Sequence, residues 1–309
     1  MSDFKEELSS TYIVRSWAEK NGFADWVIAM LWLILAFLLF QITAGLVFVG
    51  LLFLSGEISS AAEIESMLMS RLDLLFIGNT TGQILFLGVT TFLIARLHLK
   101  TEKTLDFLKL RWKASTPLFI AMGALLIVVV QPTVLYLGYL NSLIPFPEYF
   151  TDMQISQYEM FEEFLKREGI ILFGLFHIAV VPALCEEVLF RGYILHAFEK
   201  SWGMITAVVV SGLIFGLFHL QLPNLLPLAT LGIMLALMTW FSGSLWPAIV
   251  AHFLNNGAAV ILASHFPELA FNEMTAESLP PVWMLLLSIV LTVFVIRFMM
   301  KQSQLPVES

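Results

Sequence analysis

Charge is what this sequence has least of. Only 13% of its 309 residues are Asp, Glu, Lys or Arg, against about 25% in an ordinary soluble domain. The sixteen basic residues form no stripe and the formal net charge is −8, which excludes a nucleic-acid partner. A single cysteine, Cys185, excludes an intramolecular disulfide. No polar stretch is long enough for a second, soluble domain. No internal repeat of the kind many transporters carry is visible, and the H-E-x-x-H pair of the helical zinc proteases is missing. A cleavable leader is not expected either. About 25 mixed residues precede the first apolar run, and that run far exceeds the roughly 7–15 residues of a signal core.

What is there is hydrocarbon. Hydrophobic residues make up 59% of the chain and its mean hydropathy is +0.86, the composition of a membrane protein. A span needs about 20 apolar residues, and eight runs qualify: 26–54, 74–95, 117–144, 170–198, 204–221, 224–241, 245–264 and 282–299. With both ends inside, thirteen of the sixteen basic residues fall on the inner side. Only Arg71, Lys166 and Arg167 fall outside, which is the expected cytoplasmic bias. The expected fold is therefore all-α and polytopic, an eight-transmembrane-helix bundle with N and C termini cytoplasmic. Its expected parts are a cytoplasmic segment (1–25), spans one to three (26–144) and an outer loop (145–169). A core of spans four to seven (170–264) and a last part with the eighth span and tail (265–309) complete it. The outer loop sets Met153, Tyr158, Phe161 and Leu165 on one helical stripe against several glutamates. It reads either as an interfacial amphipathic helix or as an acidic solvated loop.

Most polar residues inside the spans have ordinary roles. Asn79, Thr80, Thr81 and Gln83 can bond to neighbouring helices, and Gln131-Pro132 marks a kink. Gly212 and Gly216 form the G-x-x-x-G of close helix packing. Three clusters resist such explanations. In ALCEEVLFRGYIL (183–195), Glu187 and Arg191 are i,i+4, acid before base, whereas Glu186 lies about 100° from Glu187 around the helix. That arrangement leaves Glu186 free while Glu187 pairs with Arg191. The alternative is an ion pair at the cytoplasmic helix end with Arg191 snorkelling to the headgroups. The second cluster is FGLFH, ending in His219, and the third is HFLNN, where His252 and Asn256 share a face. A free carboxylate, two histidines and an amide on three spans are the ingredients of a water-activating hydrolytic site. Counted from the cytoplasmic ends at ~1.5 Å per residue, Glu186, His219 and His252 lie roughly 18, 24 and 10 Å deep, so upright helices would not bring them together.

EEVLFR (186–191), FGLFH (215–219) and HFLNN (252–256) together resemble the CAAX protease and bacteriocin-processing family (CPBP, also called Abi), which includes the Ras-converting CAAX endopeptidases. The resemblance covers roughly residues 170–260. It implies a membrane-embedded glutamic-type endopeptidase, and the missing H-E-x-x-H with an asparagine at 256, a good oxyanion donor but an odd neighbour for a metal, favours a site without a cofactor. By that likeness Glu186 and His219 activate a water, His252 and Asn256 bond the developing oxyanion, and Glu187 and Arg191 orient the site. The implied partners are membrane lipid and a peptide or prenylated-protein substrate. The implied location is a bacterial or archaeal plasma membrane. Alternatives stay open: catalytic zinc on Glu186, His219 and His252, Cys185 as nucleophile, a non-catalytic membrane scaffold, or a proton-relaying transporter.

Overall fold

The computed structural model describes residues 17–60, 63–99, 104–271 and 275–303. Among them every regular element is helical. Ten helices carry the architecture: α1 (Asp25–Ser55), α2 (Leu72–Leu97), α3 (Thr116–Val129), α4 (Gln131–Ser142), α5 (Glu148–Leu165), α6 (Ile171–Trp202), α7 (Met204–Phe218), α8 (Leu225–Ser242), α9 (Trp246–His265) and α10 (Val282–Ser303). Residues 1–16, the larger part of the expected N-terminal segment, lie outside the described residues.

Six of these helices are long and apolar enough to cross a membrane. A seventh crossing results if α3 and α4 are one span bent by 43°. The bend falls at Gln131-Pro132, where the proline removes a backbone donor from the helix. The expectation of eight spans meets its exception in α7. Its 15 residues span only about 22 Å, because it starts directly after Gly203 at φ 77° and ends early, at His219.

Helix boundaries follow local chemistry. Gly56 closes α1 in the left-handed conformation, its N–H returning to the carbonyls of Leu52 and Phe53, a conformation costly for any residue with a Cβ. Prolines at the first turns of α3 and α9 stand where no backbone donor is needed. Along α1, Ala29, Leu33, Ala36, Phe40, Ala44 and Phe48 are buried at helical spacing, while Leu31, Ile34, Leu38 and Leu46 are exposed. Exposed leucines are what a lipid-facing surface requires. Helices in lipid gain little from the hydrophobic effect and associate by close packing of small residues instead. Gly212 and Gly216 of α7 meet Gly232 and Ala229 of α8 in this way. A Cβ on Gly212 would stand 2.8 Å from the Ile233 nitrogen, and one on Gly232 2.9 Å from the Gly212 Cα.

The bundle has two distinct ends. At one, Lys200 bonds Asp25 (2.8 Å), Lys109 approaches Glu199 (3.8 Å), and Leu245 N–H donates to the Lys109 carbonyl (2.7 Å). Burial pushes the Lys109 ammonium below its usual pKa, with Glu199 opposing. At the other end, Arg167 donates to the Met69 carbonyl (3.1 Å), Gln221 to Gln157 (2.7 Å) and Tyr136 to the Pro280 carbonyl (2.7 Å). Within 145–169 the chain forms α5 at this second end, which packs Phe164 and Leu165 inward and sets the Phe164 ring 4.3 Å from that of Phe76.

Candidate active site

α6 is wound unevenly. Two π-helical segments, Leu175–Val180 and Val188–Ile194, flank the α-helical stretch Val181–Glu187, and a third, Gln83–Val89, interrupts α2. Such wide turns recur at functional sites because they re-aim side chains within an otherwise regular helix. Here they border the position where α6 carries its two glutamates.

Glu187 and Arg191 are interior residues, 0% and 1% exposed. Arg191 Nη1 donates to Glu187 Oε1 at 2.7 Å and Nη2 to the Gly232 carbonyl at 3.0 Å. Its guanidinium lies 4.3 Å from the centre of the Phe215 ring. The snorkelling alternative is thereby corrected. Close packing at Gly212 and Gly232 brings a backbone acceptor to the arginine, so its charge is held inside the bundle, with Arg191 Nε and Glu187 Oε2 left without hydrogen-bond partners. A buried pair of this kind is compensated only when further hydrogen bonds complete it.

His252 adds one such bond. Its Nδ1–H donates to the same Glu187 Oε1 at 2.8 Å. The carboxylate fixes the proton on Nδ1, so Nε2 is an acceptor and takes an N–H from Asn256 Nδ2 at 3.2 Å. Asn256 gives its other N–H to the Ile178 carbonyl at 3.0 Å and receives Asn255 Nδ2 on Oδ1 at 3.2 Å. His219, just past the end of α7, donates Nδ1–H to the Phe215 carbonyl at 2.8 Å. Its Nε2 is thereby left as the acceptor.

Glu186 faces elsewhere. It is 7% exposed, its Oε2 has no hydrogen-bond partner, and it lines a cavity of about 320 Å³ together with His219, Asn256, His177, Asn79 and Gln83. His219, His252 and Asn256 also line a smaller adjoining cavity with Phe215 and Leu235. The structure thus gathers residues that upright spans would have kept apart. α6 ends at Trp202, four residues beyond the expected 198, so Glu186 lies about 24 Å from that end and His219 about 22 Å from the start of α7. His252, only about 9 Å from the start of α9, does sit nearer the Lys200 end of the bundle than Glu186 or His219. It therefore reaches Glu187, and Asn256, one turn further along α9, is the residue that reaches the cavity.

Two side chains given ordinary roles in the sequence belong to this wall. Gln83 begins the π-helical segment of α2, donates Nε2–H to Asn79 Oδ1 at 2.6 Å, and is 6% exposed with Oε1 unpartnered. Their signal was present, since two carboxamides at i,i+4 share a face, but nothing linked that face to Glu186. Cys185 is not part of the site. It lines a separate apolar groove with Gly88, Leu110 and Trp246. Among the described residues, no three His, Cys, Asp or Glu side chains stand together as a metal-binding group. Glu186, His219 and His252 are not gathered as such a group in this arrangement, in which His252 bonds Glu187 and Asn256.

Residues 168–258 match the family Type II CAAX prenyl endopeptidase Rce1-like. Over 84 residues, 27% of this chain, the sequence is 30% identical to the "Putative membrane peptidase YdiL" of Bacillus subtilis (strain 168). That match covers 34% of the relative, so the chain spans about a third of the length of the curated protein it matches. No solved structure matches the chain. The chain is an integral membrane protein by its apolar helices and this likeness together. All three polar motifs fall inside the stretch, residues 168–258, that is similar to the Rce1-like CAAX prenyl endopeptidases.

Proposed function

We propose that this protein is an intramembrane endopeptidase that hydrolyses a peptide bond of a lipidated or membrane-associated peptide with a glutamate-activated water. The observation that carries the reading is the shared cavity: Glu186, with a free carboxylate oxygen, and His219 both line it. Both present acceptors to the same small volume, which is what a water needs in order to lose a proton.

In the reaction the water oxygen bonds to the scissile carbonyl carbon while its proton passes to Glu186. His219 Nε2 orients the water. The tetrahedral intermediate collapses by breaking the carbon–nitrogen bond, and Glu186 returns the proton to the leaving amine. The oxyanion needs a donor, and Asn256 is placed to supply one by releasing Ile178 or His252. His252 would join as a donor only with a proton on Nε2, in place of the bond it accepts there from Asn256. The mechanism proposed needs no metal. The termini are proposed to be cytoplasmic, the span count to be eight with α7 as the short one, and the membrane to be bacterial or archaeal.

The test compares purified wild type with Glu186→Gln on quenched-fluorescent peptides, prenylated and plain, with and without a strong chelator. Cleavage by wild type alone, indifferent to chelator, supports the reading. Chelator-sensitive cleavage restored by zinc would replace it with a metalloprotease. No cleavage of any peptide, with Glu186→Gln fully functional in cells, would favour a scaffold.

A further inference from the structure

The cavity is not midway between the two ends of the bundle. Its lining extends from Glu186 to Gln157, Met160 and Phe161 of α5 and to Leu220 and Gln221 in the turn after α7. Leu220 is 44% exposed, and Gln221 and Gln157 bond each other across this rim. The rim therefore lies at the end of the bundle where Arg167 meets Met69 and Tyr136 meets Pro280.

Basic residues avoid that end. Among the described residues only Arg71, Lys166 and Arg167 stand there, whereas Lys20, Arg96, Lys109, Arg111, Lys113, Lys200, Arg297 and Lys301 belong to the opposite end. Arg191, first counted with the inner side, is an interior residue and drops out of the comparison. The segments 55–73, 145–169 and 265–281 hold thirteen acidic residues against these three basic ones. Lysine and arginine mark the cytoplasmic side of a membrane protein, since moving them across is disfavoured. The cavity mouth is on the other side.

We infer that the cavity opens to the extracytoplasmic face, and that its substrate is an exported or membrane-tethered peptide presented there rather than a cytoplasmic prenylated protein. The substrate part of this inference rests on the peptidase reading; the sidedness does not. An enzyme built this way acts after export, on a chain that has crossed or is anchored in the membrane. The cavity wall suits such a chain. Asn79, Gln83, Gln157 and Gln221 each offer both donor and acceptor groups, which match the exposed backbone of an extended peptide.

The experiment uses the full chain in intact bacterial cells, with Cys185 replaced by serine and single cysteines introduced as Glu159→Cys, Leu220→Cys and Arg111→Cys. A membrane-impermeant maleimide is applied before and after permeabilisation. Labelling of Glu159→Cys and Leu220→Cys in intact cells, and of Arg111→Cys only after permeabilisation, is expected; the inverse pattern overturns the inference. In a second arm an impermeant quenched-fluorescent peptide is added outside intact cells carrying wild type or Glu186→Gln. Cleavage at least tenfold above the Glu186→Gln level is expected. Cleavage only after solubilisation in detergent would overturn access from the outer face. Absence of cleavage even in detergent would defeat the peptidase reading, with the maleimide pattern still deciding the sidedness.

Discussion

His252 Nδ1 lies 2.8 Å from Glu187 Oε1, the same oxygen that accepts Arg191 Nη1 at 2.7 Å. One carboxylate thus anchors a charge and fixes a tautomer, joining α6 to α9. The two neighbouring glutamates divide the work, Glu187 holding the framework while Glu186 faces the cavity.

Glu187→Ala is expected to destabilise the protein by about 3–5 kcal/mol, because it leaves the Arg191 guanidinium buried without its counter-charge. The double variant Glu187→Leu with Arg191→Met should recover most of that loss, yet stay inactive because His252 is no longer oriented. Denaturant unfolding in micelles, run beside a peptide-cleavage assay, checks both. A double variant no more stable than Glu187→Ala would show that the pair is not the source of the cost.

For His219→Ala, kcat should fall about 10²–10⁴-fold, the usual range for a residue that handles a proton in the transition state, while unfolding is unchanged. Its side chain bonds only to the Phe215 carbonyl of its own helix, so little of the fold depends on it. Failure of this variant to accumulate in folded form would instead make His219 structural.

Asn256 has a dual task that mutation separates. Asn256→Asp keeps the size and the acceptor but loses both N–H donors to Ile178 and His252. Loss of an oxyanion donor lowers kcat by about 10²–10³-fold, and KM for a short peptide should hardly change. A rise in KM with kcat preserved would remove Asn256 from the reacting centre.

Gln83→Leu tests the wall opposite Glu186. An acceptor left unpartnered in a polar cavity awaits a donor, and a single hydrogen bond contributes about 0.5–1.5 kcal/mol. The variant should raise KM three- to tenfold with kcat little affected. Unaltered steady-state kinetics would mean that substrate does not touch this side chain.

Much of this was legible in the sequence because membrane spans and ionisable residues within them are the two loudest signals a chain can carry. Seven of the eight apolar runs became long or broken apolar helices, and Gln131-Pro132 bent where the ring of a proline demands it. The i,i+4 relation of Glu187 to Arg191 survived the π-helical turn between them. What was hidden is three-dimensional. Arg191 looked able to snorkel because nothing in its own helix reveals the Gly232 carbonyl and Phe215 ring supplied by α8 and α7. Depth along ideal helices misplaced Glu186 because α6 runs on to Trp202. Nothing in HFLNN indicates that His252 meets Glu187 rather than Glu186, and Gln83 joins the cavity only when α2 packs beside α6.

Small residues set the distance on which this depends. Gly232→Ala would push a Cβ to 2.9 Å from the Gly212 Cα, forcing α7 and α8 apart at a cost of about 1–3 kcal/mol. The Gly232 carbonyl should then withdraw from Arg191, so activity should fall along with stability. Full activity at a lowered unfolding midpoint would show that this contact is packing alone.

The most direct measurement is the rate of peptide cleavage by Glu186→Gln relative to wild type, in detergent, at matched folded concentration and with excess chelator. The substitution keeps the shape of the side chain and removes its capacity to take a proton. The account predicts a fall in kcat of about 10²–10⁴-fold, an unchanged unfolding transition and no effect of chelator on wild type. Equal cleavage by the two proteins would contradict it.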